Sequence, residues 1–281
     1  MDVIRRIEDI RRILLKLKAE GKKIGFVPTM GYLHKGHMSL VERAKKDCDV
    51  VVLSIFVNPL QFGINEDYDI YPRDISRDTQ LAESAQVDYI FYPGAKEMYP
   101  KGFSTFVNVE NLTEVLCGAR RPGHFKGVTT IVLKLLNIIS PHRAYFGQKD
   151  AQQVTVIRRM VRDLNIPIEI MTVPIKRERD GLAISSRNEY LSKEERKQAT
   201  CLYESLKMAE KMILQGERKS EKINKVMSKS ILDHRLASVD YIEIVDSQTL
   251  KKIKTIKGKI LIALAVKIGK TRLIDNLEME I

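Results

Sequence analysis

The sequence predicts an α/β protein with a doubly wound parallel sheet, followed by a smaller C-terminal α+β domain. Three observations predict it. Through residue 175, short apolar runs rich in β-branched residues alternate with segments of helical period. Polar, glycine-bearing loops follow those runs, on the side where such sheets bind ligands. After about residue 175 the alternation stops, and helical segments give way to three strand-like runs.

Each element follows from its local pattern. Residues 3–20 are expected to be helical, because Ile4, Ile7, Leu14, Leu15 and Leu17 form an apolar stripe that Gly21 ends. Residues 24–27 read as a short buried strand. Pro28, Thr29 and Gly31 break it, and Leu40, Val41, Ala44 and Cys48 then recur at helical spacing. The run 49–57 is apolar enough to be covered on both faces. A turn-rich loop from Asn58 to Arg73 leads to a helix over 74–85 and a strand over 87–92. Residues 93–127 are rich in Gly and Pro and are expected to be irregular, apart from a short strand over 105–109. Within them, 117–127 reads as a long polar loop of the kind that tends to be functional. A helix over 128–139, a strand over 144–146, a helix ending at Asp163 and a strand over 168–173 complete the alternation. Helices over 193–215 and 218–233 and strands over 239–245, 259–266 and 272–279 form the remainder. The expected division is a Rossmann-like domain over 1–175 and a small α+β lid over 176–281.

Composition bounds the function. Of 281 residues 44% are apolar, enough for a sizeable core. No apolar run reaches membrane-spanning length, and the first residues run into an amphipathic helix rather than an apolar leader, so a cytoplasmic protein with no membrane partner is expected. Cys48, Cys117 and Cys201 are far apart and odd in number, which argues against a disulfide framework or a Cys metal site and for small buried hydrophobes. The net charge of +12 suits either nucleic acid or a phosphate-rich small substrate. Its lysines are spread among glutamates, without an aromatic-rich basic platform, so no nucleic acid is expected.

The chemistry gathers around one junction. His34-Lys35-Gly36-His37 lies where a strand and a tight loop give way to a helix. A helix start offers unpaired N–H groups and partial positive charge, a natural seat for phosphate. An imidazole there donates hydrogen bonds to phosphate and, when protonated, offsets its negative charge. Gly36 allows close approach to the backbone. The bland alternative makes one histidine a helix cap and the other a surface residue.

Other stretches could supply a second phosphate loop. Val226-Met227-Ser228-Lys229-Ser230 resembles the KMSKS loop of class I tRNA synthetases, but Ile223, Val226, Met227 and Ile231 mark an amphipathic helix, so the match reads as accidental. The better candidate is the stretch from Arg179 to Asn188, with a turn signal, Ser185 and Ser186 as donors and Arg187 as a forked phosphate ligand. Gly147-Gln148-Lys149-Asp150 sits at another strand–helix junction. Lys149 would meet phosphate as a point charge, and Asp150 would either cap the helix or help hold Mg²⁺ through water. Gln61 and Gln153 approach the same end and suit a small polar substrate.

His34-x-Gly36-His37 resembles the HxGH signature of the nucleotidyltransferase superfamily. With SIFVNPLQF, YPRD, RPGHFKGV, FGQKD, QQV and DGLAISSRN, in order along nearly the whole chain, the sequence resembles the pantoate–β-alanine ligases. Ile184 and Gln148 occupy places where that family tolerates alternatives. The resemblance implies ATP-dependent joining of (R)-pantoate to β-alanine through a pantoyl adenylate, with Mg²⁺ and as a homodimer. It implies a nucleotide site of Met30, Gly31, His34, Gly36, His37, Gly147, Gln148, Lys149, Asp150, Lys176, Ile184, Ser185, Ser186 and Arg187. Among these, His37 would be the proton donor, His34, Lys149 and Arg187 would serve the chemistry, and Lys176 would act through its backbone. Gln61 and Gln153 would read pantoate, with Gln61 also near β-alanine and Met30 lining both pockets. Two other readings stay open on the residues alone. One is a nucleotidyltransferase that acts on a phosphorylated coenzyme precursor; the other is a non-enzymatic RNA-binding relative of the synthetases.

Overall fold

The computed structural model describes residues 1–63 and 66–281. Six parallel strands, β1 (Asp2–Ile4), β2 (Ile24–Thr29), β3 (Val50–Ile55), β4 (Tyr89–Phe91), β5 (Arg143–Gly147) and β6 (Glu169–Val173), lie in the order β1-β4-β3-β2-β5-β6. From β2 the chain builds outward through β3 to β4, then returns to place β5 on the other side of β2. The strand order therefore reverses between β2 and β5, which opens a crevice beyond their carboxyl ends.

Both faces of this sheet are covered, as the apolar runs require. All six residues of β3 are buried. Phe26 and Val52 face a core shared with Ile10 and Leu14 of α1 (Ile7–Ala19), Leu135 of α6 (His124–Ile139) and Ile157 of α7 (Ala151–Asp163). Their neighbours Val27, Val51 and Leu53 point the other way. They pack with Leu40, Val41 and Ala44 of α2 (Lys35–Asp47) and Ala82 of α3 (Ile75–Ser84).

The second sheet is antiparallel, β7 (Ala237–Asp246), β8 (Lys259–Ile268) and β9 (Thr271–Glu280), in that order. Alternation sandwiches its middle strand. Ile260, Ile262 and Leu264 pack with α9 (Cys201–Leu214) and α10 (Ser220–Leu232), while Leu261 and Ala263 join the core of the first sheet.

Several boundaries differ from expectation, each for a physical reason. Residues 2–4 are not helical: Asp2, Val3 and Ile4 pair with Tyr89, Ile90 and Phe91 as an edge strand. Helix α1 begins only at Ile7, whose N–H donates to Glu97 Oε1 of α4 (Ala95–Met98) at 2.8 Å. No strand forms over 105–109. The Val107 N–H donates to Thr130 Oγ1 (3.0 Å) and its carbonyl accepts from Thr129 Oγ1 (2.6 Å), so hydroxyls of α6 satisfy backbone that a ladder would otherwise serve. The expected loop over 117–127 contains α5 (Leu116–Arg120) and the first turn of α6, held by buried Leu116, Cys117 and Phe125. The helix expected over 193–215 divides into α8 (Lys193–Gln198) and α9. Ser228, Lys229 and Ser230 lie inside α10 beside fully buried Met227, as the amphipathic pattern requires. The three cysteines are buried and unpaired.

Candidate active site

Beyond the carboxyl ends of β2 and β5 lies a cavity of about 970 Å³. Met30, His34, Gly36, His37, Gln61, Gly147, Lys149, Asp150, Gln153, Lys176, Ile184, Ser185, Ser186 and Arg187 all line it. Gly31 and Gln148 are not on its wall. Gly31 turns the chain at φ +86° and is packed so that a Cβ would stand 2.9 Å from Ile55. The Gln148 side chain reaches instead to Asn276 and Glu278.

The two histidines together cap the start of one helix, α2. His34 is the N-cap of α2, and its Nδ1 accepts the Gly36 N–H at 3.1 Å. His37 Nδ1 accepts the His34 N–H at 3.3 Å, and the two rings stack with centroids 3.9 Å apart. The cap and phosphate readings are thus not alternatives. With Nδ1 accepting, the neutral imidazole carries its proton on Nε2. Gly36 is needed chiefly for the ring: a Cβ there would meet His34 Cε1 at 2.9 Å, and Ile184 O only at 4.0 Å. Burial and the nearby Lys149 push His34 down to about 4. Burial, then His34 and Lys149, push His37 well below its ordinary value. Both are neutral at pH 7 in the ligand-free chain, so the protonated form considered from sequence has to await an anion in the cavity.

Behind the junction stands Asp78 of α3, 1% exposed. Its carboxylate accepts the N–H groups of Tyr32 (2.7 Å) and Leu33 (2.6 Å). Those bonds hold the chain where Gly31 and Tyr32 both take positive φ. Sequence reasoning missed this residue, because an acid on an amphipathic helix looks like an ordinary surface charge.

Gln61 sits in a short turn, Pro59–Gln61. Its amide donates to Met30 Sδ at 2.9 Å and accepts from Asn58 Nδ2 at 3.2 Å. Asn58 is 1% exposed and is itself held by the Tyr99 hydroxyl (2.7 Å) and the Gly127 carbonyl (3.1 Å). His124 Nδ1 lies 2.7 Å from the Gln61 carbonyl, and Arg121 bridges His124 and Glu66. Burial, then Arg121, lower His124 to about 4. Asn58, Arg121 and His124 all lie in motif stretches quoted from the sequence, but their roles depend on contacts across 60 residues or more.

The third wall is a hairpin. Arg177 and Ala183 form an antiparallel bridge, Ile184 N–H donates to the Lys176 carbonyl at 3.0 Å, and the chain turns at Gly181 with φ +94°. Ser185 Oγ accepts the Arg187 N–H at 3.3 Å. The guanidinium fork of Arg187 is not open as the sequence reading assumed. Its Nε and Nη2 both donate to Asp67 at 2.9 Å, because the loop after β3 brings a carboxylate across the cavity mouth. Asp150 holds the N-cap position of α7 without a side-chain cap bond, so the cap role is not observed. Its carboxylate lies 3.8 Å from Lys149 Nζ.

A parallel α/β sheet with HxGH at its reversal point and a second basic loop across the cavity defines a nucleotide-binding protein of the HxGH class. A family model described as pantoate-beta-alanine ligase matches residues 2–278. A pantothenate synthetase of Acetivibrio thermocellus is 58% identical over 281 residues, covering 100% of both chains. One from Caldicellulosiruptor bescii is 57% identical over 280 residues, covering 100% of this chain and 99% of the relative. The crystal structure of pantothenate synthetase from Thermus thermophilus superposes with a TM-score of 0.94 at 46% identity, covering 99% of each chain. That of the Francisella tularensis pantoate-beta-alanine ligase, complexed with beta-gamma ATP and beta-alanine, gives 0.80 at 38% identity, covering 99% of this chain and 97% of that one. The chain belongs to the pantoate–β-alanine ligase family.

Proposed function

We propose that this protein condenses (R)-pantoate with β-alanine at the expense of ATP, through a pantoyl adenylate, releasing pyrophosphate and AMP. The observation that carries the reading is the meeting, around one cavity, of His34 and His37 from the β2 loop, Lys149 from the β5 loop and Arg187 from the hairpin, with Gln61 and Gln153 beside them. Pantoate's carboxylate does not acylate an amine at neutral pH; attack of its oxygen on the α-phosphorus of ATP, with the bond to pyrophosphate breaking, transfers AMP onto it and supplies a leaving group. The first step moves negative charge onto the α-phosphate and the departing pyrophosphate. Lys149, the Nε2–H groups of His34 and His37, and Ser185, Ser186 and Arg187 are the donors for it. Binding of the triphosphate raises the histidines' affinity for protons, which lets His37 donate one as pyrophosphate leaves. Gln61 and Gln153 orient pantoate, with Met30 against its apolar part. The second step, attack of the β-alanine amine on the acyl carbon, needs positioning and exclusion of water more than a protein nucleophile.

Among the described residues no cluster of three or more acidic, His or Cys side chains could hold a metal. One carboxylate, Asp150, half exposed on the cavity wall, fits an ion carried mainly by substrate phosphates and water. With Asp150 and the phosphates holding it, Mg²⁺ would supply neutralisation of phosphate charge. Three proposals remain: a division into residues 1–175 and 176–281, which rests on the change of pattern near residue 175; a cytoplasmic location, which rests on composition; and a homodimer, which rests on the family. No helix among the described residues is long and apolar enough to cross a membrane.

The test is product analysis with each substrate omitted. Pyrophosphate formation should require pantoate, and AMP release with pantothenate should require β-alanine. Turnover that ignores β-alanine and yields a dinucleotide would overturn the reading. Lys149→Ala should lower adenylate formation by orders of magnitude while the protein remains folded; near-normal adenylate formation would remove Lys149 from the site.

A further inference from the structure

The last strand contributes two adjacent buried polar residues, Asp275 (2% exposed) and Asn276 (4% exposed), in a strand where apolar side chains would pack without difficulty. Neighbouring residues on a strand point to opposite faces, so the pair serves two different surroundings. Each meets one of the loops assigned above to ATP phosphates.

Asn276 faces the first sheet. Its Nδ2 donates to the Gln148 carbonyl at 2.9 Å and to the Lys149 carbonyl at 2.9 Å. Its Oδ1 accepts from Gln148 Nε2 at 3.4 Å. One amide thus fastens the backbone on both sides of the peptide that carries Lys149. Asp275 faces the helices. Its two oxygens accept from Arg177 Nη1 at 2.6 Å and Nη2 at 2.9 Å. Arg177 also donates to the Gly181 carbonyl at 3.0 Å and lies over the Tyr203 ring at 4.5 Å. Gly181 itself is packed so tightly on Tyr203 that a Cβ would stand 1.9 Å from the ring. The base of the hairpin carrying Ser185, Ser186 and Arg187 is therefore tied to β9 as firmly as the Lys149 loop is.

We propose that Asp275 and Asn276 are positioning residues for the nucleotide: side by side on one rigid strand, they set the spacing between the two phosphate-facing loops. This rests on the assignment of those loops to ATP. A strand is a suitable gauge, because adjacent residues are fixed about 3.3 Å apart along it and the ladder to β8 keeps it from shearing. Asp275 and Asn276 pair with Leu264 and Ala263 of that ladder. Without the bracket, each loop keeps its local hydrogen bonds but loses its register against the other. A phosphate chain spanning both is then bound and oriented less well, whereas pantoate, held by Gln61 and Gln153, is unaffected.

The test is pantoate-dependent ATP–pyrophosphate exchange with Asn276→Ser, Asn276→Ala, Asn276→Asp and Asp275→Asn. Partial unfolding would raise the half-saturating concentrations of ATP and pantoate by the same factor, so their ratio remains readable if a variant is partly unfolded. If Asn276 acts by donating, the ATP requirement rises in the order wild type, Ser, Ala, Asp. The isosteric Asp is worst, because it sets an acceptor against two carbonyls. The rise should reach about 10–100-fold with the pantoate requirement within about twofold, as expected for a loop displaced by a fraction of an ångström. Asp275→Asn should raise the ATP requirement in the same selective way. A role in packing alone would make Asp the mildest change and would shift both substrates together; either result overturns the proposal. Lys149→Ala separates the two levels of argument. If it abolishes exchange while Asn276→Asp is normal, only the positioning role fails. If it is itself normal, the assignment of the loop fails.

Discussion

Gly127→Ala adds one methyl group, on the buried side of α6, and should act on pantoate rather than on ATP. A Cβ at this position would lie 2.1 Å from the Leu60 carbonyl oxygen, 2.4 Å from its carbon and 2.6 Å from the Gln61 nitrogen. Ordinary contact begins near 3.4 Å, so the turn Pro59–Gln61 must retreat by about 1.3 Å, or α6 by the same amount. The helix cannot easily yield, because Phe125, Val128, Ile131 and Val132 around it are buried. The turn therefore moves. It carries Gln61 and strains the bond from Asn58 Nδ2 to the Gly127 carbonyl, the same Nδ2 that donates to Gln61 Oε1. A displacement of about 1 Å costs about 100-fold where a group orients a reactant. Overpacking costs about 1–3 kcal/mol of stability, which leaves most of the protein folded. The expected result is a pantoate requirement raised about 100-fold in adenylate formation, an ATP requirement within about threefold of wild type, and a thermal midpoint lowered by several degrees. A folded Gly127→Ala protein with an unchanged pantoate requirement would refute both the placement of Gln61 in the pantoate pocket and the rigidity assigned to α6.

Three further outcomes follow from contacts around the cavity. Gly36→Ala sets a Cβ 2.9 Å from the His34 ring and should dislodge it from its cap, lowering adenylate formation about 10–100-fold for a loss of about 1 kcal/mol in stability; equal losses of ATP and pantoate affinity with no loss of rate would contradict it. Asp67→Asn removes the anion that fills the Arg187 fork, so ATP no longer has to displace it. The half-saturating ATP concentration should fall about fivefold, the equivalent of about 1 kcal/mol for a partly exposed pair, and a rise would mean that Asp67 orients Arg187 instead of competing for it. The pH dependence of stability has a definite sign. His34 and His124 are lowered to about 4 by burial, and in the unfolded chain they titrate near 6.5, so between these values the unfolded state binds more protons. Their contribution to stability is complete above pH 6.5 and is lost as pH falls toward 4. Urea midpoints across that range should decline less steeply for His124→Gln than for wild type, and parallel slopes would refute the assignment.

How much of this was legible in the sequence depended on whether the signal was local. The strand–loop–helix at His34 could be read because β-branched runs, glycines and helical spacing lie within about 25 residues of one another. Strand–helix alternation pointed to a parallel doubly wound sheet with ligands beyond its carboxyl ends, but the strand order, and so the crevice between β2 and β5, is set by pairings between distant segments. Gln61, Lys149, Gln153 and Ser185 were legible as polar residues at strand ends, and the structure lines one cavity with them. What was not legible depended on distant partners. The edge strand over residues 2–4 looked like the start of a helix because Ile4 stands three residues before Ile7, in line with the stripe of α1; pairing with β4, 87 residues on, decided it. Residues 105–109 had strand composition, but hydroxyls of α6 took their backbone groups. Asp78, Asp67 and Asn276 looked like ordinary polar residues, since nothing near them in sequence marks a buried acceptor or a double donor.

The histidines and Arg187 of the cavity are already partnered in the ligand-free chain, and this helps to explain how a basic site of such density is compatible with a stable fold. Lys149, Arg77, His34 and His37 lie near one another, and like charges in a partly dry cavity repel strongly. The histidines avoid the conflict by staying neutral, each spending its Nδ1 lone pair on a backbone N–H. Arg187 avoids it by pairing with Asp67, and Lys149 by lying near Asp150. Each arrangement is held by a bond that a phosphate oxygen could replace or by a protonation state that a phosphate would reverse. ATP therefore need not build its site from disordered parts. On the proposed reading it would exchange carboxylates for phosphates at Arg187 and Lys149, and would make protonation of the imidazoles favourable at the point where charge grows during pyrophosphate departure. The same residues satisfy the fold before the nucleotide arrives and, on that reading, would serve the transition state after it, so the HxGH histidines act as a helix cap without ceasing to be catalytic candidates.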